Sequence, residues 1–241
     1  MELPASFEVT RQGTSERYSC QLSWLDNSSA SQVVELQEYI LKTLANKEFF
    51  YPLTPAEFGL ILTGEGGLAL GAVVEEQLIG FGAVYFPENN DDNLGRDVAL
   101  CGAELKQVVH LEVCFVHPEY RGNALQTRMS ALLLKRVSQL KEYRHLFSTV
   151  MPANLPSLIS QFKQKMKIVA LKQKYNNSWR YIFYRDLWAK EHFVEEEDKR
   201  ETISVSNLDL PRQLTLLSHG YQGLGYRKTE AGIEILYVRE S

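Results

Sequence analysis

The stretch from Gln107 to Leu140, QVVHLEVCFVHPEYRGNALQTRMSALLLKRVSQL, constrains the fold more than any other part of the chain. It opens with QVVHLEVCFV, a run too apolar for an exposed edge, which reads as a strand buried on both faces. It closes with ALQTRMSALLLKRVSQL, where Met129, Leu133, Val137 and Leu140 recur on one helical face. Pro118, Arg121, Gly122 and Asn123 crowd the junction between them, where a plain turn would need fewer special residues. A buried strand passing through such a junction into an amphipathic helix is an α/β unit.

The rest of the chain continues that alternation. FEVTRQ and RYSCQLSWLD read as a first strand pair, and Ser28 to Ser31 supply N-cap residues for a helix striped by Val33, Leu36, Ile40 and Leu44. A proline-broken loop leads to a short helix from about Pro55. GGLALGAVVEEQLIGFGAVYF is two apolar runs around the polar turn Glu75 to Gln77, a β-hairpin whose glycines suggest close packing. Pro87 to Gln107 is a polar, turn-rich excursion of the kind that often carries function. HLFSTVMP then reads as a strand, NLPSLISQFKQKM as a helix, and KIVALKQKYNNSWRYIFYRDL as a hairpin turning at Asn176 and Asn177. The expected fold is α/β, a mixed central sheet flanked by helices, in one domain of residues 7–189. Residues 190–241 read as a C-terminal α+β appendage: the charged run AKEHFVEEEDKRE, a short helix, and a terminal strand or hairpin.

Charge and cysteine usage narrow the partners. Across 241 residues the formal net charge is -4 and the sequence pI about 5.8, so there is no basic footprint for nucleic acid. Cys20, Cys101 and Cys114 are too scattered for a disulfide framework or a paired metal spacing, which fits a reduced, cytoplasmic setting. No basic and apolar leader opens the chain, and no run approaches the roughly 18 apolar residues of a membrane span. No nucleic acid and no membrane are expected as partners.

The chemistry concentrates at the junction. A helix N-terminus leaves backbone N–H groups unpaired and carries partial positive charge, so a thin strand-to-helix loop can hold a phosphate with main chain alone. Arg121, Gly122, Asn123, Ala124, Leu125 and Gln126 make such a loop, with Arg121 adding charge. Here the sequence resembles the GNAT acetyltransferase superfamily, whose cofactor motif is Gln/Arg-x-x-Gly-x-Gly/Ala after a strand ending in Val-x-Pro-x-x-Arg-Gly. LEVCFVHPEYRGNALQ matches through Val116, Pro118, Tyr120, Arg121 and Gly122. It departs at Ala124, where the first motif glycine is usual, a modest change if its φ is negative. It departs again at Gln126, which would either narrow the phosphate space or hydrogen-bond within it. The resemblance in the order of elements runs from about Phe7 to Leu187.

That resemblance implies a splayed central sheet and binding of acetyl-coenzyme A. It also implies that the main chain of Cys114, Phe115 and Val116 pairs with the pantetheine arm, so Cys114 is a small buried side chain rather than a nucleophile. MPANLPSLISQF resembles the second cofactor segment, which puts Asn154 and Ser157 near the pantetheine; Asn154 reads equally well as a helix N-cap. The tyrosine acid usual seven residues after that Asn is replaced by Gln161.

An attacking amine must lose a proton. His110 and Glu112, two apart on one strand and therefore on one face, are the candidate bases, acting through water. Tyr175 is the candidate proton donor to the leaving thiolate. A metal reading of His110/Glu112 with His117/Glu119 lacks a third ligand cluster. The sequence thus points to transfer of an acetyl group from acetyl-coenzyme A to an amine, with a small molecule as acceptor. The alternative is a catalytically silent acyl-coenzyme A sensor or interaction module. The appendage could cover a sheet edge or dock a second subunit, which leaves a homodimer open.

Overall fold

Alternation in the first twenty-four residues produces two short antiparallel strands, β1 (Phe7–Thr10) and β2 (Arg17–Trp24), and the sheet grows from their far side. The computed structural model describes residues 6–175, 177–189, 202–230 and 232–239. These fall in two compact units, one within 1–87 and 109–142, the other within 88–108 and 143–241.

In the first unit a 3-10 turn, Asn27–Ser29, leads into α1 (Ala30–Thr43). Ser29, within the expected Ser28 to Ser31, stands at the N-cap position of α1, and Asp26 caps the preceding 3-10 turn by accepting from the Ser28 N–H. Ser29 makes no capping bond with its side chain. α2 (Pro55–Leu62) starts on a capping box, Thr54 with Glu57, and has proline where its missing N–H costs nothing. β3 (Gly67–Val74) and β4 (Gln77–Tyr85) form the hairpin, with Glu75 and Glu76 both at positive φ in the tight turn. β5 (Val108–Val116) adds to β4, giving the antiparallel order β1-β2-β3-β4-β5.

The two faces of this sheet are packed differently. On one, Val33, Leu36 and Ile40 of α1 and Phe58, Ile61 and Leu62 of α2 bury against Ala69, Phe81, Ala83 and Phe115. On the other lies α3 (Leu125–Leu140), whose Met129 and Leu133 sit over glycines of β4. A Cβ on Gly80 would meet Met129 Cε at 3.1 Å, and one on Gly82 would meet Leu133 Cδ1 at 3.3 Å and Cys114 Sγ at 3.4 Å. The glycines let this helix close on the strand. Leu140, at the helix end, is only half-buried.

The second unit holds β6 (His145–Val150), α4 (Leu155–Lys163), β7 (Lys167–Lys174), β8 (Ser178–Asp186), β9 (Ile203–Ser206), α5 (Leu210–Ser218), β10 (Tyr221–Thr229) and β11 (Gly232–Arg239). Its strands run β6-β8-β7-β10-β11-β9, antiparallel at each pairing. The excursion from Pro87 belongs mostly here and is folded rather than open. Two 3-10 turns, Leu94–Val98 and Gly102–Gln107, are pinned by Asn93, whose side chain donates to the Leu105 carbonyl at 3.0 Å and accepts from the Gly95 N–H at 2.9 Å. Lys172 Nζ reaches the Asp97 carbonyl at 2.8 Å. The C-terminal segment joins this sheet beside β7, through Gly223 opposite Ile168. Asn176 of the expected turn and Lys190 to Glu201 of the charged run lie outside the described residues.

Candidate functional site

Chain geometry makes the junction after β5 rigid before any ligand is considered. The His117 N–H donates to the Ile79 carbonyl at 2.8 Å, and its ring stacks on Tyr39 with centroids 4.5 Å apart. Pro118–Tyr120 form a single 3-10 turn, with His117 Nδ1 accepting from the Glu119 N–H at 3.3 Å. The end of β1 is then stapled to the loop. Asn123 accepts from the Thr10 N–H at 2.8 Å and donates to the carbonyls of Thr10 and Tyr120 at 2.8 and 2.9 Å, while Arg11 pairs with Glu119 at 2.7 Å. The Arg11 guanidinium holds the Glu119 carboxyl below its ordinary range. Neither staple is apparent in the sequence, because each joins residues more than a hundred apart.

With its side chain consumed by β1, Asn123 has only main chain left for a ligand. Gly122 has φ +86°, with open space where a Cβ would stand. Ala124 also lies in the left-handed region, at φ +56° and ψ +21°, so the condition of a negative φ, under which the substitution would be a modest change, is not met. Its conformation is the one a glycine would adopt without strain. Among the described residues no side chain caps α3, whereas Thr54, Asn154 and Asp209 cap α2, α4 and α5. The first N–H groups of α3, from Leu125 on, therefore remain as donors beside the exposed Arg121. Gln126 sits half-buried in that first turn, and its carbonyl accepts from the Cys114 thiol at 3.9 Å.

β5 brings His110 and Glu112 together, Nδ1 to Oε2 at 3.5 Å, with His110 only 4% exposed. Their closeness has a local cause. Val113 pairs with Ala83 and Leu111 with Val84, so Glu112 has no residue opposite it, and the ladder bulges there. Tyr85 stands opposite His110, its ring edge-on at 5.7 Å. Cys114 turns toward α3, where burial pushes its thiol up to about 12 despite a hydrogen bond from Ser130 that pulls the other way. Such a thiol is a poor nucleophile. Phe115 is a core residue, and Val116 pairs with Gly80.

In the second unit Asn154 caps α4, accepting from the Ser157 N–H at 3.3 Å, so the capping role is realised. Gln161, one turn past Ser157, is 7% exposed, and its Oε1 has no hydrogen-bond partner among the described residues. Tyr175, at φ +45°, has its hydroxyl 3.4 Å from Thr149 Oγ1 and its ring 5.5 Å from the Arg180 guanidinium. Among the described residues no three His, Cys, Asp or Glu side chains group as metal ligands, and no helix is long and apolar enough to cross a membrane.

Residues 38–159 match the model of the acetyltransferase (GNAT) family. Comparison with curated proteins returns no match. Among solved structures, NAA60 of Arabidopsis thaliana in complex with acetyl-CoA is similar at 14% identity and a TM-score of 0.56, over 69% of this chain and 98% of that one. YncA of Salmonella typhimurium, a putative acetyltransferase solved with acetyl-CoA, is similar at 12% identity and a TM-score of 0.54, over 74% and 98%. The ribosomal-protein-S18-alanine N-acetyltransferase of Escherichia coli is similar at 11% identity and a TM-score of 0.52, over 73% and 99%. Identities this low speak to the fold alone.

Proposed function

Since the chain belongs to the acetyltransferase (GNAT) family, we propose that it takes acetyl-coenzyme A at the start of α3 and passes the acetyl group directly to the nitrogen of a small-molecule amine. The observation that carries this reading is the uncapped N-terminus of α3, presented by a loop that Asn123 locks to β1. Its free N–H groups and the charge of Arg121 suit a pyrophosphate. Two similar structures hold acetyl-CoA, which supports the same co-substrate here. By this reading the main chain of Cys114, Phe115 and Val116 receives the pantetheine arm by strand addition, and Asn154 and Ser157 lie along it. We assign the transferase domain to residues 7–189.

In the reaction the amine nitrogen bonds to the thioester carbonyl carbon, the carbon–sulfur bond breaks, and coenzyme A departs with the sulfur electrons. An alkyl ammonium has a pKa of about 10.4, so the nucleophile must first give up a proton. The His110–Glu112 pair is the acceptor in this proposal, the bulge serving to aim the carboxylate. Tyr175 is the candidate to return a proton to the thiolate. The net charge of -4 favours a cationic acceptor over an acidic one.

A silent acyl-coenzyme A binder is the second reading, and Gln161 at the place of the usual tyrosine acid is the residue that favours it. Thiol release from acetyl-coenzyme A over a panel of amines, with calorimetry of cofactor binding beside it, separates the two. The enzyme reading expects turnover with at least one amine. It also expects His110→Ala with Glu112→Gln to lose about 10²-fold or more in kcat with cofactor affinity retained. Tight binding with no turnover on any amine would instead establish the binder.

A further inference from the structure

Within the second unit the C-terminal segment is fastened to the strands and turn that precede it by a buried polar network. Gln213 of α5 is 0% exposed. Its Oε1 accepts from the hydroxyls of Tyr181 and Tyr237 at 2.7 and 2.8 Å, and its Nε2 donates to the carbonyls of Ser206 and Asn207 at 3.0 and 3.1 Å. Only one orientation of the amide fits, since both neighbours of Nε2 are carbonyl oxygens. Burial raises both tyrosines above the ordinary value, which keeps each hydroxyl in the donating form. A carboxamide with every position used is a rigid part.

What it holds rigid is Asn207. The Asn207 N–H donates to the Ile233 carbonyl at 3.0 Å, and its carbonyl lies 3.1 Å from the Tyr181 hydroxyl. The side chain then points out of the C-terminal segment. Its Nδ2 donates to the Pro152 carbonyl at 2.8 Å, and Asn207 is 5% exposed, so water cannot readily replace it. Pro152 belongs to the irregular turn between β6 and α4, in which the Asn154 N–H donates to the Met151 carbonyl at 2.9 Å. That turn sets where α4 begins and where Asn154 and Ser157 stand.

We infer that Asn207 is a positioning residue: through its bond to Pro152 the C-terminal segment fixes the turn that presents Asn154 and Ser157, and so sets affinity for acetyl-coenzyme A. The cofactor half of this inference rests on the function proposed above; the clamp itself does not.

The test uses the full chain with Asn207→Asp, which keeps the shape and turns the donor into an acceptor, and Asn207→Ala, which removes it. Arg227→Ala, cutting an exposed pair with Glu234 on the same segment, controls for loosening of the segment in general. Two readouts are taken: hydrogen exchange of the amides of residues 153–155, 157 and 158 without cofactor, and the Kd of acetyl-coenzyme A. Both Asn207 variants should speed exchange at the start of α4 and weaken acetyl-coenzyme A by about tenfold, the scale of one lost hydrogen bond, with the start of α3 unaffected and Arg227→Ala doing neither. Unchanged exchange would remove the clamp. Faster exchange with an unchanged Kd would leave a purely structural bond and overturn the positioning role. Failure of the parent chain to take up acetyl-coenzyme A would sink the proposed function, and the cofactor half with it, while the exchange result still decides whether Asn207 holds the turn.

Discussion

Ala124 holds a backbone conformation that L-residues disfavour by about 1–2 kcal/mol, at the position that, under the proposed function, leaves the α3 amides uncovered for the cofactor. A serine, threonine or aspartate there would cap the helix and consume those donors; alanine cannot. Glycine would relieve the strain and leave the donors free, at the cost of a more flexible unfolded chain. Ala124→Gly should therefore raise stability, by about 0.5–1 kcal/mol, with acetyl-coenzyme A affinity no weaker. Urea denaturation decides it: a lower midpoint for the variant would mean that Ala124 is not strained in solution. The departure from the usual glycine was visible in the sequence, but its φ was not. A single dihedral depends on how the loop is fastened, here by Asn123 to Thr10, and no local pattern encodes a bond across 113 positions.

At the level of elements, local patterning told most and register told least. The apolar run of β5 and the 3.6-residue stripe of α3 follow from side chains that have nowhere else to be buried, so periodicity alone located them. The bulge at Glu112 arises from a one-residue mismatch between β4 and β5, and nothing in either strand taken singly marks it. His110 and Glu112 could be placed on one face, whereas Tyr85 opposite His110 could not be found without the register. The glycines of the hairpin did carry a message, since Gly80 and Gly82 are where α3 comes close. Gly82→Val should cost about 1–3 kcal/mol, because even its Cβ enters the range of Leu133, Cys114 and Met129, and two further methyls would overpack the site. A variant that denatures at the parent's midpoint would show that α3 can lift off β4 without penalty.

Over the whole chain, long-range polar bonds decide how the C-terminal segment is held, and these were the least legible. Gln213, Tyr181 and Tyr237 read as ordinary helix and strand residues until the fold brings 24- and 32-residue separations into one buried network. Ionisation adds a second property that only the folded chain has. Among the described residues each unit contains one buried histidine that burial holds below its ordinary value, His117 in the first and His145 in the second. Between the depressed folded value and about 6.5 the unfolded chain binds more protons, so their contribution is complete above about pH 6.5 and is lost as pH falls through that window. The carboxylates of Glu119 and Asp186 come next. Arg11 holds the first down by hydrogen bonding, and Arg144 holds the second down against its own burial, so their contribution is lost further down, below about pH 4.5. Acid should therefore weaken the protein in two stages rather than one. Thermal midpoints taken from pH 8 to pH 3 would reveal a first decline beginning near pH 6.5 and a steeper one below about 4.5. His145→Gln should flatten part of the first stage, and a midpoint that stayed level from pH 7.5 to 5.5 in the parent chain would show that neither histidine is held neutral by the fold.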